Sequence, residues 1–402
     1  MEKQLRIALA QTCPINASET ASATFDASAP LLAPLASNLA KVAEWTEKAS
    51  GEGADVIVFP EYFLQGIVDG KEYMVHPAQH AIDYLCVLAK KHTISIVGTI
   101  VEPQMNSAVV SGVPEPTTSP FSHLLSNTAP DSAVQQSWHD FFVARYPHCF
   151  EASLPSASEK RKALDPDSKD LPAPAVEDEP SLMDQAKQFV GLSTEKAPTP
   201  EKERPLYMSN TAYYIDGDTG TVVGRYSKKN LWIPEREYLV AGDNSHEVFD
   251  TKWGKAGFLI CWDFSRAAAA ASLAQQDVDI IFGPTYWMGF DSEPGIKPHN
   301  PPQDYELTLL QSLAYTRAFE SETAVVMVNA GGPVSEGFIG GSGVWLPFKG
   351  MLGGVGVGGG PDDNKVEGMR VVQVDLSVLK DSRRTYQIRT DQVGKIGSLF
   401  QS

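Results

Sequence analysis

Cysteine is scarce in this chain: its 402 residues hold four, Cys13, Cys86, Cys149 and Cys261. That is too few for a disulfide framework, so each reads as packing or as chemistry in a reducing compartment. Positive charge is also short, with 33 Lys plus Arg against 50 Asp plus Glu and a formal charge of −17. Such a surface repels phosphate backbones and anionic lipid headgroups, which argues against nucleic acid or membrane as general partners. No apolar run reaches the roughly 18 residues a membrane-spanning helix needs. The opening MEKQLRIALAQ places charges where a signal peptide needs an apolar core, and SLFQS at the other end carries no lipidation or peroxisomal address. A cytoplasmic protein is expected. Among eight histidines there is no HExxH and no Cys/His cluster at ligand spacing, so no metal is expected. His80 and His92 flank a predicted helix and read as surface or packing residues. Gly354 to Gly359 fits GxGxxG, but Pro361-Asp-Asp follows instead of a helix, and a surface turn is the better reading.

What the chain has is 42% hydrophobic residues, enough for a sizeable core, and prolines gathered in one place. Half of the 28 prolines fall between Pro103 and Pro205. Stretches there such as ASLPSASEK and DLPAPAVEDEP cannot bury enough apolar area to offset ordering entropy. Within it, SWHDFFVARYPHCF (137–150) carries five aromatics and reads as a docking helix. Residues 103–205 are therefore expected to be an insertion, mostly flexible with one or two anchored pieces and dispensable for folding. The rest is the size of one large α/β domain, so residues 1–402 form a single domain carrying that insertion.

Outside the insertion, strand and helix patterns alternate. Strands are expected at 5–11, 55–60, 94–101, 256–260, 278–282, 323–329, 343–347 and 369–375. Helices are expected from about Ser37, over 78–92, over 266–276 and over 307–320. Segments 209–215 and 221–226, joined by Asp216-Gly-Asp-Thr-Gly220, read as a hairpin. No internal repeat is visible.

Three residues with chemistry close strands. Cys261 lies between an apolar strand and an alanine-rich helix, where the positive end of a helix dipole favours thiolate. A buried core cysteine is the other reading, and this residue alone leaves both open. Cys13, Cys86 and Cys149 have weaker contexts and read as structural or incidental. Glu61 follows DVIVFP, at the strand end where α/β folds expose reactive groups, although a lone Glu there is more often a solvated loop acid. Lys228 and Lys229 follow another strand, and a lysine pair is usually surface charge. Trp287 reads as a pocket wall with core packing as its rival, and Tyr62 and Phe63, beside Glu61, as entrance residues.

Taken in order, Phe59-Pro-Glu61, Tyr226-x-Lys228-x-x-Leu231 and Ile260-Cys-Trp-Asp263 resemble the carbon–nitrogen hydrolase (nitrilase) superfamily. The resemblance extends to RIALAQ, to the 206–226 hairpin, to Arg317-Ala-Phe-Glu-Ser and to Gly340 to Pro347. It implies a four-layer α-β-β-α sandwich of the α/β class and a Glu61–Lys228–Cys261 triad. It also implies a supporting glutamate, matched best by Glu235 with Glu237 nearby, and a homodimer or larger assembly. Ser227 and Asn230 depart from the usual arginine and histidine of the lysine block.

In the implied chemistry Cys261 attacks an amide carbon while Glu61 takes its proton. Lys228 and the backbone N–H of Trp262 face the developing oxyanion, and a thioester forms and is hydrolysed. No cofactor is needed. The expected substrate is a small amide, because amidase-type members carry Asp where Asp263 stands; nitriles and N-carbamoyl amino acids remain alternatives. A catalytically silent scaffold on the same fold is the rival from another class.

Overall fold

Leu5, Ile7 and Leu9 of the first strand, β1 (Leu5–Gln11), enter one apolar cluster, and the intervening Ala8 and Ala10 enter another. A strand whose two faces are both apolar must be covered on both sides. A computed structural model describes residues 4–18, 21–103, 114–150, 208–358, 360 and 362–391, and in it that demand is met by a second sheet on one face and helices on the other.

The chain runs from β1 through α1 (Ala33–Gly51), β2 (Val56–Val58), α2 (Ala78–His92) and β3 (Ser95–Pro103). Helices α3 (Ser122–Ser126) and α4 (Ser132–Arg145) lie in the insertion. Then come β4 (Met208–Asp216), β5 (Thr221–Ser227), β6 (Phe249–Thr251), β7 (Gly254–Phe258), α5 (Ala267–Ala274) and β8 (Ile280–Thr285). The fold closes with α6 (Tyr305–Glu320), β9 (Ala324–Asn329), β10 (Gly343–Leu346), β11 (Gly350–Gly354), β12 (Gly368–Val374) and α7 (Ser377–Tyr386).

Two six-stranded sheets result, ordered β12-β1-β2-β3-β4-β5 and β11-β10-β9-β8-β7-β6. In the first, β1, β2 and β3 are parallel neighbours, flanked by antiparallel β12 on one side and β4 and β5 on the other. The second repeats this pattern, with β7, β8 and β9 parallel, β6 flanking one side and β10 and β11 the other. The sequence shows no trace of that topological repeat. Leu9, Val58 and Val97 of the first sheet share a cluster with Phe258, Phe282 and Val326 of the second, which is the seam between the sheets. On the outer face of the first sheet, Ile57 and Ile96 pack with Leu39 and Val42 of α1 and Leu85 and Leu88 of α2. Leu273 of α5 and Leu310 and Ala314 of α6 cover the second sheet. This is the expected four-layer sandwich.

Helix α1 starts at Ala33, earlier than the pattern suggested, because Pro34 is tolerated in a first turn where its missing N–H is not needed. The short β6 and glycine-rich β11 were not anticipated: three residues carry no readable period, and GMLGG has few side chains to alternate. β11 ends at Gly354 and a turn follows over 355–358, as the GxGxxG reading held.

The aromatic stretch of the insertion is a docked helix, as expected. Asp131 caps α4 by accepting from the N–H groups of Ala133 and Val134. Trp138, Phe141, Phe142 and Tyr146 are buried in the same cluster as α1 and α2. Trp138 meets His80 edge-on at 5.5 Å, and Phe142 lies 5.7 Å from Tyr73. His80 is thus a packing residue. The remainder of the insertion, 104–113 and 151–205, lies outside the described residues. No helix among the described residues is long and apolar enough to cross a membrane.

Candidate active site

The ladder of β2 ends where Pro60 offers no N–H, and Glu61 is the next residue. Its N–H donates to Thr285 O at the end of β8, 3.2 Å away, so the acid is tied to both sheets. Lys228 follows β5 and Cys261 follows β7 by three residues. All three therefore sit where strands run out, and the structure brings their side chains together. Lys228 Nζ lies 2.7 Å from Glu61 Oε1 and 2.7 Å from each oxygen of Glu235. The Cys261 thiol is buried beside them, where burial and Glu61 raise its pKa and Lys228 and the Tyr286 backbone lower it. The lysine and both carboxylates are buried, with Lys228 0% and Glu61 1% exposed at the side chain.

Two carboxylates and one ammonium out of water carry one negative charge too many, and that excess sets the protonation. Burial and the neighbouring Glu235 push Glu61 up to about 7, against the pull of Lys228. Burial and Glu61 drive the Cys261 thiol well above its ordinary range, while two carboxylates hold Lys228 charged despite its burial. Cys261 therefore rests as a thiol beside a carboxylate. This corrects the helix-dipole reading of Cys261. The residue opens a short 3₁₀ turn, Cys261–Ser265, and α5 begins only at Ala267, while the adjacent carboxylate opposes thiolate.

The backbone at the site is held in unusual conformations. Tyr62 and Cys261 both have positive φ, 58° and 45°. A non-glycine residue there costs of order 1–3 kcal/mol and persists only when its surroundings fix it. Tyr62 N–H donates to Thr99 Oγ1 at 3.0 Å and its hydroxyl to Glu235 Oε1 at 2.5 Å. Around Cys261, Asp263 does the fixing. It is fully buried and accepts from Ile260 N–H at 3.0 Å, Tyr226 Oη–H at 2.9 Å and Asn230 Nδ2–H at 2.7 Å. Asn230 thus ties the lysine loop to the nucleophile turn. Arg317 of α6 grips the far end of that turn, donating to Phe264 O from Nε at 3.0 Å and Nη2 at 2.9 Å.

The other expected site residues divide. Glu235 contacts Lys228 directly and also accepts from Trp232 N–H at 2.7 Å; Glu237 has no recorded contact with the lysine. Tyr62 belongs to the network rather than to an entrance. Phe63 does not reach the site: the chain turns at Tyr62, and Phe63 stacks on Phe59 at 4.9 Å and fills the space left by Gly98. Trp262 and Trp287 continue a run of indoles from Trp232, with centroids 4.4 Å and 5.3 Å apart. Trp287 is 2% exposed, belongs to the core cluster and donates from Nε1 to the buried Glu306.

Sequence reasoning missed Asn210, whose Nδ2 donates to Glu61 Oε1 at 2.7 Å. Along the chain it stands in the polar run Ser209-Asn210-Thr211 at the start of β4, and only the structure shows that run to be buried. The organising contacts of Asp263 were missed as well.

Comparison with known proteins places these residues in context. The sequence pattern of the carbon–nitrogen hydrolase family matches residues 6–113 and 188–382, with an interruption that falls inside the expected 103–205 insertion. N-carbamoylputrescine amidase of Arabidopsis thaliana is 28% identical over 198 residues, 46% of this chain and 62% of that protein. The (R)-stereoselective amidase of a Pseudomonas species is 28% identical over 170 residues, 42% of this chain and 53% of that one. Both matches thus span less than two thirds of the relative. A solved mutant of the amidase from Nesterenkonia sp. AN1 shares the fold with a TM-score of 0.50 at 18% identity, covering 96% of each chain. The interrupted match reaches both sheets and all three strand ends that carry Glu61, Lys228 and Cys261, and the chain belongs to the carbon–nitrogen hydrolase family.

Proposed function

We propose that the protein is an amidase that hydrolyses a small amide through a Cys261 thioester. The observation that carries this reading is a buried thiol under the joint influence of Glu61 and Lys228, whose carboxylate and ammonium lie 2.7 Å apart. In the first step the sulfur bonds to the carbonyl carbon as its proton passes to Glu61, which is poised near 7 and so ready to accept and return it. The carbonyl oxygen takes up the electron pair and faces Lys228 Nζ and the N–H of Trp262. The proton on Glu61 then passes to the leaving nitrogen, ammonia departs and the thioester remains. Glu61 next deprotonates a water that attacks the thioester, and the acid leaves as the thiol is restored. Glu235 holds Lys228 in place through both oxygens.

The test is ammonia release from a small amide, its matching nitrile and an N-carbamoyl amino acid, with wild type and Cys261→Ala. Turnover of the amide that vanishes in the variant supports the reading. Silence across the panel, together with a Cys261 inert to alkylation, would favour the scaffold instead.

One observation favours a second substrate class. Lys229, Arg236 and Arg266 line a cleft of about 240 Å³ with Asn230, Leu231 and Ala241. Three cations there suit the carboxylate of an N-carbamoyl amino acid better than a cationic amine. We also infer a cytoplasmic homodimer. Support for pairing comes from the outer face of α6, where Tyr315 and Phe319 are 46% and 41% exposed, and from Phe348 and Tyr386, whose rings meet 5.0 Å apart.

A further inference from the structure

Away from the catalytic network, three side chains with metal-binding atoms converge from two separate segments. Glu72 opens the 3₁₀ turn Glu72–Val75 that precedes α2. His148 and Cys149 lie in the 3₁₀ turn Pro147–Phe150 that follows α4 in the insertion. Cys149 Sγ is 3.0 Å from Glu72 Oε2, His148 Nε2 is 3.1 Å from the same oxygen, and the sulfur and the imidazole nitrogen are 3.5 Å apart.

Those separations have a geometric consequence. A circle through the three atoms has a radius of about 1.9 Å. A zinc-sized ion roughly 2.0–2.3 Å from each donor therefore stands just off their plane. That is the arrangement of three corners of a tetrahedron with the fourth left for water. The burial agrees: Cys149 is 8% exposed and the Glu72 side chain 14%, whereas the His148 side chain is 33% exposed and marks the open side. Tyr73 and Phe150, with ring centroids 5.7 Å apart, form an apolar backing. One thiolate, one imidazole and one carboxylate suit zinc-like ions, not magnesium or calcium, which prefer oxygen alone.

We propose that Glu72, His148 and Cys149 form a zinc-class metal site that clamps the insertion onto the hydrolase domain. On binding, the Cys149 thiol proton is released to solvent and a sulfur–metal bond forms, with the neutral imidazole and the Glu72 carboxylate as the other protein ligands. Burial and Glu72 push the Cys149 thiol up, so the charge of the metal is what draws that proton off. The site is independent of the amide chemistry, and its test does not read turnover.

Cobalt(II) is the probe, titrated into untagged full-length protein carrying Cys261→Ser so that the other buried thiol is removed. The expected result is one equivalent bound, with a thiolate-to-cobalt band in the near ultraviolet, visible bands of tetrahedral intensity, and displacement by zinc. Cys149→Ser should abolish the thiolate band. Glu72→Gln, which keeps the size of the side chain and an acceptor for Cys149, should weaken binding at least ~10-fold, since even groups behind a ligand are worth that much. Zinc should also raise the melting temperature of the parent and not of Glu72→Gln. Absence of the band at millimolar cobalt, or a band that survives Cys149→Ser, would overturn the proposal and leave the three as an ordinary hydrogen-bonded cluster.

Discussion

Glu61 is the residue on which the site turns, because it lies 2.7 Å from the ammonium of Lys228 and its charge raises the Cys261 thiol. Its position near 7 leads to a prediction for rate: kcat/KM for an amide should rise with pH through an acid limb near 7, belonging to the coupled Glu61, Lys228 and Cys261 set rather than to one group. Glu235 raises Glu61 by its charge. Replacing it by Gln should therefore move that limb to lower pH while lowering kcat/KM; an unmoved limb with unchanged kcat/KM would sink its role. Cys261→Ala should cost at least ~10³ in kcat/KM, as losses of nucleophiles do. The same shift bears on stability. Glu61 binds its proton more tightly folded than unfolded, so its contribution is complete below about pH 4.5 and is lost as pH rises toward 7. Urea unfolding of wild type and Glu61→Gln between those limits should show wild type losing stability relative to the variant as pH rises.

At the scale of elements, the nucleophile turn is held by contacts that are remote in sequence. Arg317 reaches back 53 residues from α6 to Phe264 O. Arg317→Ala leaves that buried carbonyl without two charge-assisted bonds, a loss of about 1.5–3 kcal/mol. The melting temperature should fall, and amide exchange should quicken first in 261–265. The insertion, expected to be dispensable, contributes aromatic residues to the shared core through α4. Trp138→Ala should cost about 3–5 kcal/mol if α4 unfolds with the rest. A separate early transition in hydrogen exchange would instead make α4 its own unit. Excision of 104–203 would strip Tyr73 and His80 of their aromatic cover, so the excised protein should lose solubility or melt earlier than the parent.

For the whole molecule, the two sheets share one pairing pattern, which places the strand ends that carry Glu61 and Cys261 at the seam between them. The site is thus assembled across the sandwich, and neither half holds it alone. The proposed dimer is tested by sedimentation: wild type should be dimeric or larger at micromolar concentration. Tyr315→Glu with Phe319→Glu should shift it toward monomer, because each charge lies on an exposed face of α6.

Local chemistry made much of this legible. Continuous apolar runs marked β1 and β3 and Pro60 marked the end of β2 just before Glu61, since each depends on neighbours within a few residues, while the lysine loop was marked by family resemblance. Proline and small polar residues likewise marked the insertion. Other features depended on distant partners and were not readable along the chain. The protonation of Cys261 is decided by Glu61, two hundred residues earlier, and by the low-dielectric burial they share, which outweighs any nearby helix end. Asn210 is a polar residue in a strand until Glu61 is brought to 2.7 Å of it. Phe63 lies two residues after the acid yet packs in the cluster beneath the helices, because the chain turns at Tyr62, whose φ is 58°. Sequence alone determined which residues have the chemistry; only the closing of one sheet on the other decided which of them meet, and in which protonation state.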